Sequence, residues 1–148
     1  MNQDHHRRIL VQTGLLLAIG VRAAPARACE YVTRTMRIVH PWTRATADNA
    51  AQAVLCMSFA DVVETDRLVG VETPVAGSAE MGGPDGGGAV DLAIPVGRET
   101  VLTESGVHVR LTDLEHGLEV GRAYPLTLTF EKSGQVLALL NVDYARFR

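Results

Sequence analysis

Outside its first 28 residues, this chain holds few side chains that could do chemistry, and apart from the neighbours Cys56 and Met57 they are scattered: Met36, Met57 and Met81; His40, His108 and His116; Cys29 and Cys56. Thioethers, imidazoles and thiols are the donors that suit Cu(I), so metal binding is the first functional question. No pair of His or Cys has a spacing that makes a site by itself. Each residue also has a structural reading. A thioether packs as an adaptable hydrophobe, and Cys56, in the apolar run Ala53-Val54-Leu55-Cys56, reads as a buried free thiol. His40 precedes Pro41-Trp42, so an extended backbone is expected, with the ring packed and hydrogen-bonded at a strand end. His116, within Asp113-Leu114-Glu115-His116, reads as solvated. His108 is different, because alternation groups Val107, Val109 and Leu111 on one face and sets His108 and Arg110 together on a polar one.

Other chemistries lack their signatures. There is no Gly-x-Ser-x-Gly elbow and no His-Glu-x-x-His, so the chain does not read as an enzyme. Met81-Gly82-Gly83-Pro84-Asp85-Gly86-Gly87-Gly88 lacks the Lys-Ser or Lys-Thr of a phosphate loop and reads as a flexible hairpin end.

The elements that must position these residues begin after an export signal. Arg7 and Arg8 precede an apolar stretch from Ile9 to Val21, and Ala26-Arg27-Ala28 precedes Cys29 as a small-residue cleavage site. The stretch is shorter than the roughly 20 residues of a bilayer-crossing helix, so no permanent membrane span is expected. His6-Arg7-Arg8-Ile9-Leu10-Val11 suits a twin-arginine route, and two arginines equally suit ordinary Sec secretion; either way the protein is expected in the periplasm. Cys29 after Ala28 raises a lipoprotein anchor, although Ala26 and Arg27 are poor matches to such a site. The whole chain has 148 residues, with 14 basic and 17 acidic. Removing four arginines and Asp4 leaves 10 basic and 16 acidic residues, a net of −6 over 120. A nucleic-acid partner is not expected of so acidic a chain.

Residues 29–148 read as one all-β domain. Period-2 runs predict strands over Tyr124–Phe130 and Gln135–Val142, joined by the turn Glu131-Lys132-Ser133-Gly134. Leu137 and Leu139 oppose the face of Val136, Ala138, Leu140 and Val142, which predicts a strand covered on both sides. Further strands are expected over Met36–Val39, Ala51–Phe59, Arg67–Glu72, Ala89–Ile94, Thr100–Leu102 and Val107–Leu111, and one helical turn within Leu111–Leu118. Seven or eight short strands fit a sandwich or barrel.

A set of segments carries a more specific signal: Ile38-Val39-His40-Pro41-Trp42-Thr43-Arg44-Ala45-Thr46, Asp66-Arg67-Leu68-Val69-Gly70, Ile94-Pro95-Val96-Gly97, Gly106-Val107-His108 and Pro125 through Gly134. In this order they resemble the periplasmic copper chaperones of the PCu(A)C family. The resemblance implies a cupredoxin-like Greek-key β-barrel and an exported protein. It also implies delivery of Cu(I) toward the copper centre of a cytochrome c oxidase, with that centre's protein or its assembly factor as partner. It further implies a metal site of thioethers and imidazoles: a His after an Ala-Glu-Leu-like strand, a following Met, and a His-any-Met strand. Here Ala79-Glu80-Met81-Gly82-Gly83 has glycine where the first His belongs, no Met follows between Gly86 and Leu92, and Arg110 replaces the Met after His108. His108 is the implied metal ligand and Met81, beside the lost His, the second. Three accounts stand open: a member without copper, a rearranged site using His108, Met81 and either Met57 or Cys56, or a domain that binds a protein partner. Cys56 and Met57 point to opposite faces of one strand, so at most one joins His108.

Overall fold

The computed structural model describes residues 29–145, so the expected export signal at residues 1–28 lies outside the described residues. These residues form ten strands: β1 Glu30–Val32, β2 Arg37–Arg44, β3 Gln52–Ala60, β4 Asp66–Glu72, β5 Ala76–Gly82, β6 Leu92–Ile94, β7 Thr100–Val101, β8 His108–Leu114, β9 Ala123–Phe130 and β10 Gly134–Tyr144. The path runs β5-β8-β3-β2-β10-β9-β4-β6, with β1 on β2 and β7 on β3. β4 and β5, distant along that path, touch, so the sheet curls over a single core. The all-β barrel expectation matches this architecture.

Alternation explains the core. Along β3, Ala53, Leu55, Met57 and Phe59 are buried and belong to the core cluster, joined from β8 by Val109 and Leu111 and from β9 by Leu126, Leu128 and Phe130. Met36, Met57 and Met81 all lie in that cluster, the packing role a thioether fills well. The β9–β10 hairpin forms with Gly134 opposite Phe130 and Leu140 opposite Tyr124. Its turn is clasped by Asp66, whose carboxylate accepts hydrogen bonds from the backbone N–H groups of Lys132 (2.8 Å), Arg67 (2.8 Å) and Ser133 (3.1 Å) and from Thr35 Oγ1 (3.0 Å).

Four expectations need correction. The Leu111–Leu118 segment has no helical turn: Thr112 is paired with both Gln52 and Ser78, and this two-sided ladder carries β8 through Leu114. Val107 is not on the inner face; it is 43% exposed, in the loop before β8, where Thr103 N donates to Val107 O. Leu137 and Leu139 are exposed rather than covered, since among the described residues no further layer packs on that side of β10. His40 is not extended: its φ is +49° where the β2–β3 register shifts between Val39 and Trp42, and its Nε2 pairs with Asp143. The bulge supplies the turn that the following proline disfavours.

Candidate metal centre

Two adjacent strands position the sequence-predicted ligands. β5 and β8 are antiparallel, with Met81 opposite Val109 and Gly82 opposite His108. Opposite residues share a face, and faces alternate along each strand. Met81 therefore points with Val109 into the core, while His108 lies on the other face with Arg110 and Glu80. The register brings the two strands together and sets the two donors on opposite sides of the sheet.

On the His108 face, Gly82 is the residue that makes room. A β-carbon at position 82 would sit 2.7 Å from His108 Cδ2 and closer still to Nε2, so the imidazole occupies the place of the missing side chain. Gly83, at φ +122°, brings the β5 end equally near the opposing loop, where a side chain would meet Gly106 O at 2.6 Å. That same carbonyl lies 3.0 Å from His108 Nδ1. Because a carbonyl only accepts, the neutral ring with this hydrogen bond carries its proton on Nδ1 and its lone pair on Nε2.

Arg110 follows two residues on, half-buried on this face. Its Nε is 3.3 Å from Glu80 Oε1, and its Nη2 donates to Met81 O at 3.5 Å. The Nε–H is buried without a hydrogen-bond partner, so the contact with Glu80 is an ion pair off the hydrogen-bond line. A fixed guanidinium beside His108 opposes a cation there. On the other face, Met81 is 8% exposed and lines a cavity of about 500 Å³ with Gly82, Asp85, Gly86, Ala89 and Leu92. The glycine-rich segment roofs this cavity, and Gly88 O accepts from Met81 N at 3.0 Å.

The remaining candidates lie elsewhere. His116 is exposed, with its ring tilted on Tyr124 at 5.7 Å and Nδ1 2.8 Å from Gly117 O. Cys29 and Cys56 are both free thiols, Cys56 fully buried. Burial first, then Glu104, pushes the Cys56 pKa up to about 11, with Arg44 opposing. Among the described residues no three His, Cys, Asp or Glu side chains gather as a metal-binding group, and no helix is long and apolar enough to cross a membrane. Sequence reading located the polar face of His108. It missed the Gly82 vacancy and the Glu80–Arg110 pair, because both depend on the β5–β8 register.

Comparison with known proteins supplies the relationship. The model of the LpqE-like family, described as lipoproteins, matches residues 36–142. Among solved structures, the copper-bound PCuAC domain from PmoF2 is 29% identical with a TM-score of 0.71, over 78% of this chain and 97% of that one. The apo PCuAC domain from PmoF1 is 30% identical with a TM-score of 0.71, over 78% of this chain and 98% of that one. Cu(I)-DR1885 from Deinococcus radiodurans is 25% identical with a TM-score of 0.60, over 84% of this chain and 83% of that one. A comparison with curated proteins by sequence gives no match. Because the family match spans most of the described strands and the fold is shared almost end to end with PCuAC domains, the chain belongs to the LpqE-like family of PCuAC proteins.

Proposed function

We propose that this protein is an exported, copper-chaperone-like carrier that holds one Cu(I) through His108 Nε2 and passes it toward a cytochrome oxidase copper centre. One observation carries this reading: the match to a copper-bound PCuAC domain over 97% of that domain, combined with a His108 whose Nδ1 is engaged and whose Nε2 is the free lone pair. Imidazole and thioether donors bind Cu(I) while permitting transfer to a stronger acceptor. Met81 is the second donor of the proposal. From the core side it reaches His108 only if the segment Gly82–Gly88 rearranges, and the five glycines of that segment lower the barrier to such a change. The reading is of a carrier, not a catalyst, acting in the periplasm.

Titration of Cu(I) against a strong competing chelator tests it. The wild-type protein is expected to withdraw copper, and His108→Ala to lose that ability; equal uptake by the variant removes His108 from the site.

A second reading has its own observation. The Glu80–Arg110 pair and the glycine at position 82 stand on the face where a metal would be held. On that reading the barrel is a periplasmic protein-interaction domain that carries no metal. It predicts Cu(I) uptake no higher than that of a His108→Ala, Met81→Ala double variant, and a partner recovered by pull-down.

A further inference from the structure

Strands β2 and β3 are paired for only part of their length, and their ladder ends at Trp42 opposite Cys56. Beyond that point β2 continues beside β10, with Thr43 opposite Val142, while the start of β3 continues beside β8, from Leu55 opposite Val109 to Gln52 opposite Thr112. The two strands part, and a cavity of about 600 Å³ opens between them. Its walls are residues 43–47 on one side and 52–54 on the other, with Ala50 and Glu104. A cavity on one face of a sheet would take alternate residues, so consecutive ones on both walls place it between the strand edges. The main chain of β3 is open toward this cleft. Along a strand, successive residues direct their N–H and C=O groups to opposite edges. Ala51 O accepts from Leu114 N and Met57 O from Leu102 N, so the odd-numbered residues of β3 face β8 and β7. Gln52 and Val54 therefore face the cleft, and among the described residues no strand pairs with them there.

We propose that this cleft binds a short, extended, uncharged segment of a partner protein, which adds to the open edge of β3 through main-chain hydrogen bonds. The proposal goes beyond the copper reading and does not depend on it, since neither His108 nor Met81 lines the cleft. An open row of strand N–H and C=O groups is a template for another strand, with main-chain bonds giving affinity and side-chain pockets giving selectivity. A helix has already spent its main-chain groups on itself, so the occupant is extended. The open stretch is short. It is bounded by the Trp42–Cys56 pair at one end and by the turn in which Ala50 N donates to Ala47 O at the other. Ala45, Ala47, Ala50 and Ala53 line the cleft, and their small side chains leave the room to those of the incoming segment. Arg44 and Glu104 are the only charged residues on its walls. They hold each other through Arg44 Nε at 2.7 Å and Nη2 at 3.0 Å, so the cleft presents no net charge and suits an uncharged segment.

The test uses the purified, isotope-labelled protein, with its amide resonances assigned. The probe is an acetylated, amidated hexapeptide in which Val and Thr alternate with Ala, beside versions that carry Lys or Glu in place of the alanines. With the neutral peptide, saturable shifts are expected at Thr43, Gln52 and Val54, together with slowed exchange of the Gln52 and Val54 N–H groups. Of its two versions N-methylated at alternate residues, at least one is expected to bind about tenfold or more weakly, the scale of two main-chain hydrogen bonds lost. That comparison leaves the protein unaltered, so misfolding cannot imitate it. The Lys and Glu peptides are expected to bind more weakly than the neutral one. No saturable shift with any peptide, equal binding of both N-methylated versions, preference for a charged peptide, or shifts confined to another edge such as β5 or β7 overturns the proposal. Binding seen only after residues 146–148 are removed makes the chain's own end the occupant and overturns it too. So does a dimer, detected by sedimentation, that protects these same amides without peptide.

Discussion

The imidazole of His108 is held on two sides by backbone: Gly106 O engages Nδ1, and Gly82 leaves the hollow that the ring fills. Position 82 therefore tolerates no side chain while the ring stays in place. Gly82→Ala is expected to displace the ring and to cost less than the roughly 1–3 kcal/mol of core overpacking, because the contact is with the far end of a half-exposed side chain that can swing away. Thermal or denaturant unfolding checks the stability, and the shift of the His108 ring resonances checks the displacement. Asp66 governs another part of the molecule by the same kind of local satisfaction. Burial pushes its carboxyl upward, but hydrogen bonds from Lys132, Arg67, Ser133 and Thr35 outweigh that and hold it below the usual carboxylate range. A carboxyl depressed in the folded state stabilises fully above its unfolded value, near about 4, and loses that contribution as pH falls through the folded value. Asp66→Ala is expected to cost about 1–3 kcal/mol by leaving buried donors unpaired, and to flatten the loss of stability below about pH 4. Urea unfolding across pH 2–7, on the order of one titration every half unit, compares the two proteins.

At the scale of elements, β3 does most of the positioning, since it pairs with β8 through Gln52–Leu55 and with β2 and β7 farther along. Leu55, fully buried on its core face, anchors the stretch that carries Cys56 on the other. Leu55→Ala is expected to cost about 2–5 kcal/mol, measured by denaturant unfolding, and to weaken Cu(I) retention by loosening the β3–β8 pair. The β9–β10 hairpin was legible in the sequence because Leu126, Leu128 and Phe130 alternate with threonines before a glycine-bearing turn. β5 was not, because Ala76-Gly77-Ser78-Ala79 lacks the β-branched and aromatic residues that mark a strand; it is held by its ladder with β8. The opposite faces of Cys56 and Met57 were legible from alternation alone. The separation of His108 from Met81 was not, since a shift of one residue between β5 and β8 would have put them on one face.

At the scale of the whole molecule, one curled sheet gathers the polar face of β3, β5 and β8 outside a single apolar core. The fold is shared with copper-bound PCuAC domains, while Gly82 and Arg110 stand where the resemblance implies a His and a Met. In the proposed function this altered face still carries copper, and His108 carries it. The most direct measurement is competition for Cu(I) between a strong chelator and the protein, with wild type and His108→Ala compared at one pH and one salt concentration. Wild type is expected to take one Cu(I) per chain, and His108→Ala to leave the metal with the chelator. Wild type that takes none, or a variant that takes as much as wild type, contradicts it.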